Sequence, residues 1–372
     1  MRKNIMVYDA ADSPALPIAR SLGRRGVRVH LASSKERVPA FYSKYSSKNH
    51  LVRSYREALE VALNENCELF IPLLPEKELV DLAKVKSKIE NGIRIACGDY
   101  EAVKTLVDKG RITEISQKIG IPVPETVFPK SESDALEFAK SGEFILKFRI
   151  GSGGREVYVI RNESEYLSLK DELRFNEKDV LLQRVVEGKQ LSISGICDKS
   201  NFVAAFVYER LRFYPYPFGP ATYLKSSRND DCLKYSEKLA EEVEYSGIIN
   251  FDFIIDETDG KPKLIDVNPR FWGSVNAAAI CGVDFPWLLY RFYFGIIDEI
   301  ETKHAEGIHL RSFLEDFKSI ADVLFSKKET KKEKIRNLLD FLNFLKYREF
   351  MFDFSDLTPN LYEIFEILGR RF

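Results

Sequence analysis

Two hydrophobic periods alternate along the first hundred residues. Ile5-Met6-Val7-Tyr8 is a short apolar run; after a polar turn at 9–13, Leu16, Ile18, Ala19 and Leu22 recur at helical spacing until Gly23 and Gly26. Val27 to Leu31 predicts a second strand, 56–65 a helix, Leu69 to Leu74 a strand up to its prolines, 77–90 a helix, and Ile93 to Ala96 a closing strand. Strands that alternate with helices build parallel βαβ units, so an open α/β domain is expected over 1–98.

The pattern then changes. Residues 99–120 read as helices that lead through Gly120-Ile121-Pro122-Val123-Pro124, where two prolines restrict the backbone and mark a joint. An α+β region follows, with strands near 126–128, 144–148, 155–160 and 180–184 and helices at 132–140 and 163–173. Residues 191–210 alternate toward strands, and Arg210 to Tyr223, rich in aromatics and proline, predicts an ordered loop. A helix is expected at 229–246. Ile248 to Ile255 and Lys263 to Val267 read as an antiparallel pair joined through Asp259-Gly260. Beyond 275 the periodicity is mainly helical, and the tail from about 307 to 372 predicts a helical extension.

Composition narrows the function. A chain of 372 residues, 45% hydrophobic and 30% charged, has apolar residues enough for two or three folded domains and is not disordered. With 56 basic against 57 acidic side chains the net charge is -1, so no overall field draws the chain to nucleic acid. Cys67, Cys97, Cys197, Cys232 and Cys281 form neither a disulfide scaffold nor a metal-ligand spacing, which fits a reducing interior. His30, His50, His304 and His309 make no metal signature. No apolar stretch approaches the roughly 20 residues that span a bilayer, and Met1 to Ile5 runs into a strand with no apolar leader. A cytoplasmic location, with neither membrane nor nucleic acid as partner, is therefore expected. The pairs Lys327-Lys328 and Lys331-Lys332 read as solvated surface. The loop after the first strand lacks G-x-G-x-x-G, so a dinucleotide fingerprint is absent.

Two clusters carry chemistry. Lys147 ends an apolar strand just before Gly151-Ser152-Gly153-Gly154; glycines let backbone N–H groups approach phosphate oxygens, and the lysine adds a point charge. The segment is not a G-x-x-x-x-G-K-[ST] loop, and by itself it reads equally as a tight connection. Asp252 and Asp266 lie on consecutive strands, with Asn268 two residues on and on the same face. Two carboxylates and an amide oxygen suit Mg²⁺ bridging to nucleotide phosphate, while a polar sheet edge is the alternative.

Taken in chain order, Lys147, the glycine segment, Asp252 and Asp266-Val267-Asn268-Pro269-Arg270-Phe271-Trp272-Gly273-Ser274 resemble the ATP-grasp superfamily, of the carboxylate-amine ligase-like kind found in the carbamoyl-phosphate synthase large chain and D-alanine–D-alanine ligase. The resemblance implies a pre-ATP-grasp α/β domain at 1–98, an ATP-grasp region at 99–300 with a small clamping lobe at about 122–188 and a larger lobe at about 189–300, and a mainly helical extension at 301–372. It also implies ATP and two Mg²⁺ ions, with Mn²⁺ as an alternative metal. Asp252 and Asp266 would hold one ion, Asp266 and Asn268 the other. Asp266 stands where glutamate is more usual.

Further roles follow from the same resemblance. Lys109, after Asp108, and Lys147 reach phosphate. Gln183 and the backbone of Arg184 or Val186 meet adenine, and Gln190, with Glu187 as substitute, meets ribose. Arg270 stabilises the phosphoryl group in transfer, with Lys147 and Asn268 as the other catalytic positions. Arg210, Arg212, Lys225, Trp272, Gly273 and Ser274 form the acceptor side, and residues 9–14 complete a carboxylate pocket. A lid at 150–156 closes over the nucleotide. The implied reaction joins a carboxylate to an amine through an acyl phosphate and releases ADP and phosphate; a small-molecule kinase, an acid-thiol ligase and a non-catalytic ATP-binding regulator are the alternatives. Family habit implies a homodimer.

Overall fold

The computed structural model describes residues 3–89, 92–151, 157–199, 201–216, 218–296, 303–326 and 330–369. Its first sheet holds β1 (Asn4–Tyr8), β2 (Arg28–Ser33), β3 (Ser46–Leu51), β4 (Leu69–Pro72) and β5 (Arg94–Ile95) in the order β3-β2-β1-β4-β5, all parallel. Central β1 is apolar on both faces because both are covered: Ile5 and Val7 pack with the helix Ala15–Arg24, and Met6 and Tyr8 with the helices Tyr55–Asn64 and Glu76–Ile89. The edge strand β3 was not expected. Its sequence, SSKNHL, is polar and largely exposed, and its backbone pairing with β2 leaves no hydrophobic alternation to read.

The second sheet, β6 (Thr126–Val127), β7 (Phe144–Phe148), β8 (Val157–Ile160) and β9 (Val180–Arg184), is antiparallel in the order β6-β9-β7-β8. The helices Glu132–Lys140 and Glu163–Leu173 pack on it around Phe138, Phe144, Leu146, Tyr166 and Leu182, a core of its own. Ser131 and Asp134 form a capping box at the start of the first helix, and Asn162 caps the second.

The third sheet has seven strands: β10 (Gly188–Asp198), β11 (Asn201–Phe213), β12 (Ala221–Ser226), β13 (Gly247–Asp256), β14 (Pro262–Asn268), β15 (His309–Arg311) and β16 (Arg348–Glu349), ordered β14-β13-β10-β11-β12-β15-β16. Two expectations change here. The loop expected over 210–223 shrinks, because β11 continues to Phe213 and β12 starts at Ala221. The tail is helical over Phe313–Phe325, Lys331–Leu342 and Thr358–Ile367, but it also adds β15 and β16, too short to show a period. Among the described residues no helix is long and apolar enough to cross a membrane.

Candidate functional site

The second and third sheets line a cavity that opens to solvent and holds about 830 Å³ of empty space. Ile145 and Phe148 of β7, Val157 of β8, Ile254 of β13 and Ile265 of β14 give it apolar walls, the surface on which a planar base packs. Gln183, Arg184, Val186 and Gln190 continue the wall from β9 into β10.

Lys147 projects into this cavity from β7 and is buried. Its Nζ donates to Gln183 Oε1 at 2.7 Å and to the Ile265 carbonyl at 3.2 Å, and Gln183 Nε2 donates in turn to Thr126 Oγ1 at 3.1 Å. Loss of water pushes the ammonium down to about 8 from its ordinary range; Asp266 and Asp252 oppose that shift and Lys109 adds to it. The lysine therefore keeps its proton up to about pH 8 and meets phosphate at neutral pH as the ammonium.

Asp252 and Asp266 stand opposite one another in the β13–β14 register, and Asn250 stands opposite Asn268. Asp252 Oδ1 accepts from Ser192 Oγ at 2.5 Å and Asn250 Nδ2 at 3.1 Å, while Arg210 Nη1 lies 3.5 Å from Oδ2. Ser194 Oγ donates to Asn250 Oδ1 at 2.6 Å, so a polar row on β10 orients Asn250 and Asp252 on β13. Asp266 Oδ1 is buried without a hydrogen bond, with Lys109 Nζ at 3.5 Å; its other oxygen faces Asn268 Nδ2 at 3.4 Å. A buried carboxylate oxygen left open toward a cavity fits a divalent cation, and an all-oxygen set of two carboxylates and an amide fits Mg²⁺. Among the described residues no group of three or more His, Cys, Asp or Glu is placed to hold a metal, so phosphate oxygens would have to complete the shell.

Lys109 opens the helix Lys109–Lys118 and donates to the Gly151 carbonyl at 2.8 Å. Asp108 caps that helix through Gly110 N and Arg111 N, and Arg149 grips both oxygens of Asp108 at 3.0 and 2.9 Å. A Cβ on Gly110 would meet the Arg149 guanidinium at 2.8 Å, so only glycine allows this packing. The carbonyl side of the glycine segment is thereby fixed at Gly151. Ser152, Gly153 and Gly154, and with them most of the expected lid, lie outside the described residues.

A second cavity of about 610 Å³ shares Asp252, Asp266, Arg210 and Phe218 with the first and continues to Asn268, Arg270, Trp272, Gly273 and Ser274. Gly273 lies so near the loop after β1 that a Cβ would sit 3.0 Å from Ser13 Oγ, which brings that loop to the cavity edge. Trp272 is buried edge-to-face on Phe285.

Three expected positions fall elsewhere. Arg212 is buried on the tail side of β11, where Nε and Nη2 donate to Asp316 at 2.8 and 2.7 Å, Nη1 donates to Asp340 at 2.6 Å, and the guanidinium lies over the Tyr223 ring. It holds the extension and lines neither cavity. Lys225 sits on β12 between Glu209 and His309 in register, outside both cavities. Glu187 is exposed in the turn between β9 and β10, so Gln190 alone of the two expected ribose contacts faces the nucleotide-sized cavity. Sequence reasoning missed Ser192, Ser194 and Asn250, the orienting row, and Glu76, which holds Arg270. Their sequence signal is limited to small polar residues at alternate positions of two strands, Ser192 and Ser194 on β10 and Asn250 two before Asp252 on β13, and an acid in the first turn of a helix.

Residues 107–274, which span both walls of the first cavity, match the model of the ATP-grasp domain family. The chain carries an ATP-grasp domain. The C-terminal section of the carbamoyl phosphate synthase large chain of Methanopyrus kandleri is 26% identical over 193 residues, 49% of this chain and 36% of that relative, so the match spans well under two thirds of the relative's length. The biotin carboxylase domain dimer of Hydrogenobacter thermophilus 2-oxoglutarate carboxylase, solved with MgADP, ADP and bicarbonate, superposes with a TM-score of 0.66 at 18% identity, covering 83% of this chain and 73% of that one. Staphylococcus aureus N5-carboxyaminoimidazole synthetase, solved with ADP, gives a TM-score of 0.66 at 15% identity, covering 83% and 82%. At these identities the superpositions establish the ATP-grasp architecture, from parallel N-terminal sheet through core to helical extension.

Proposed function

We propose that this ATP-grasp protein is an ATP-dependent ligase that joins a carboxylate to an amine through an acyl phosphate and releases ADP and phosphate. One observation carries the reading: Asp252 and Asp266 oppose each other across a hairpin in the same cavity that Lys147 and Lys109 enter from the other wall. That is a set of fixed charges for a polyphosphate tail, beside an apolar slot for its base.

Asp252, Asp266 and Asn268 would hold Mg²⁺, which when bound offsets phosphate charge; two ions, replaceable by Mn²⁺, are the number this reading assigns. Lys147 and Lys109 orient the phosphates. Gln183, the backbone at Arg184 and Val186, and Gln190 hold adenosine; Gly151, and by the resemblance Ser152, Gly153 and Gly154, are assigned to the phosphate tail. On the wall of the second cavity, Arg270 stabilises the phosphoryl group in transfer and Arg210 orients the substrate carboxylate, with Trp272, Gly273 and Ser274 on the same acceptor side. An oxygen of that carboxylate attacks the γ-phosphorus, the bond to the β–γ bridging oxygen breaks and ADP leaves. The amine nitrogen then attacks the acyl carbon, loses a proton and expels inorganic phosphate. No side-chain nucleophile is needed, since the first step already activates the carbonyl.

The same reading assigns residues 1–98 to a pre-ATP-grasp domain, 99–300 to the ATP-grasp region and 301–372 to an extension. All five cysteines are free and buried, which supports a reducing, cytoplasmic setting. The dimeric 2-oxoglutarate carboxylase domain supports a homodimer, which light scattering over a dilution series tests. The function is tested with the purified chain, ATP, Mg²⁺ and pooled carboxylates and amines. Formation of ADP and phosphate that requires both substrates is expected. AMP with pyrophosphate, or a stable phosphorylated product without an amine, overturns the reading.

A further inference from the structure

The helix Lys331–Leu342 carries its apolar residues on the wrong side for a core. Toward the protein it presents Phe341, which is buried against Phe313 and Phe317, and Asp340, which accepts from Arg212. These contacts, with Arg311 Nη1 donating to the Phe341 carbonyl at 2.7 Å, fix the helix in rotation. Its outward face is Ile335, Leu338, Leu339 and Leu342, spaced i, i+3, i+4 and i+7, with Ile335 59% and Leu339 64% exposed. At 100° per residue, Lys334 falls on one side of that stripe and Lys332 and Arg336 on the other, while Lys331 lies within it at its N-terminal end. Near the helix in sequence, Phe325 is 88% exposed and Leu345 fully exposed.

We propose that this face docks on an anionic lipid surface, with the apolar stripe inserted among the acyl chains and the four cations at the headgroups. An outward apolar stripe bordered by Lys and Arg is the arrangement that binds a bilayer interface without spanning it. A second copy fits worse: a twofold contact lays the same four cations of each chain against one another. A protein partner fits worse as well. Phe325, the last residue of the helix Phe313–Phe325, and Leu345, in the single 3-10 turn Phe344–Lys346, are both exposed, and exposed side chains on separate elements suit a fluid surface that needs no matching pocket. The cytoplasmic leaflet supplies the negative charge, so the site agrees with the proposed location, and the proposal departs from the expectation that no membrane is a partner. It does not depend on the ligase reading, since it shares no residue with either cavity.

Flotation of the full chain with vesicles tests this. Phosphatidylcholine vesicles containing phosphatidylserine are expected to carry the chain upward and pure phosphatidylcholine vesicles to leave it behind, with recovery falling as ionic strength rises from about 0.1 M to about 1 M. I335E/L339E is expected to abolish recovery. K332E/R336E is expected to lower partitioning by at least about five-fold for each cation removed. Both variants alter exposed positions, and an unchanged circular dichroism spectrum and thermal midpoint verify that they fold. No flotation at low salt, equal recovery on neutral vesicles, recovery unaffected in folded I335E/L339E, or a wild-type dimer that this variant converts to monomer overturns the proposal.

Discussion

Arg270 donates from Nε at 3.1 Å and from Nη2 at 3.0 Å to one oxygen, Oε1, of Glu76. Glu76 is buried at the start of the helix that packs on the parallel sheet, whereas Arg270 follows β14, so the contact joins the N-terminal sheet to the ATP-grasp core. Nη1 donates to the Phe271 carbonyl at 3.1 Å, leaving the guanidinium fixed in its plane at the wall of the second cavity. Glu76→Gln removes the charge that holds it. A misplacement of about 1 Å costs on the order of a hundred-fold in turnover, so kcat for substrate-dependent ADP release is expected to fall by about that factor. The ATP dissociation constant, measured in the same variant, is expected to stay unchanged. A parallel loss of nucleotide affinity would place Glu76 on the nucleotide side instead.

The second prediction concerns pH. Lys147 loses its proton near pH 8 in the free protein because burial disfavours the ammonium. Phosphate oxygens favour the ammonium, so bound nucleotide raises its pKa and binding above that pH must take up a proton. ATP affinity is therefore expected to be flat below about pH 8 and to fall above it, approaching ten-fold per pH unit. Lys147→Arg, whose guanidinium stays charged, is expected to flatten the profile. Titration calorimetry across that range, in two buffers of different ionisation enthalpy, measures both the affinity and the proton uptake.

Asp266 Oδ1 is buried without a hydrogen bond, which is costly unless a cation faces it. Asp266→Asn is expected to lower turnover by about 10²–10³ and to raise the Mg²⁺ concentration needed for half-maximal rate. Its thermal midpoint without metal is expected to be equal to or below that of the wild type, because the ion pair with Lys109 Nζ at 3.5 Å goes with the charge. A metal titration of rate and a melting curve check the two halves separately.

What the sequence made legible is short-range. The β13–β14 hairpin alternates, carries Asp-Gly at its turn and thereby brings Asp252 opposite Asp266 without distant information. Lys147 was legible for the same reason, at the end of a five-residue apolar strand. The misplaced residues depend on distant partners. Arg212 alternates with Arg210 on β11, yet its partner is Asp316, 104 positions away, and nothing near Arg212 announces a buried acid. Glu76 and Arg270 are 194 positions apart. Strands β3, β15 and β16 pair through backbone groups that every sequence possesses.

Because Arg212 is held by Asp316 and Asp340 in the interior, its removal leaves a buried carboxylate unpaired. Arg212→Ala is expected to destabilise the fold by about 3–5 kcal/mol and to lower the thermal midpoint, with ATP affinity unchanged in the protein that remains folded. Had Arg212 served the acceptor side, stability would hold while substrate KM rose.

Glu363, in the helix Thr358–Ile367, lines a cavity of about 670 Å³ between the tail and the loop after β1. Its carboxyl is raised to about 7, mainly by burial, with Glu315 and Glu349 adding to the shift and Lys318 and Arg20 opposing it; Asp12 faces the same cavity. The folded chain therefore keeps a proton that the unfolded chain releases near 4.5, the ordinary value. The linked stability is fully present below pH 4.5 and is lost as pH rises through about 7. Glu363→Gln mimics the protonated acid at every pH. The variant is expected to match the wild type in denaturant midpoint near pH 4.5 and to exceed it above about pH 7, by on the order of 1–3 kcal/mol. A constant difference across that range would mean that Glu363 enters the fold ionised, with a cation in the cavity facing it.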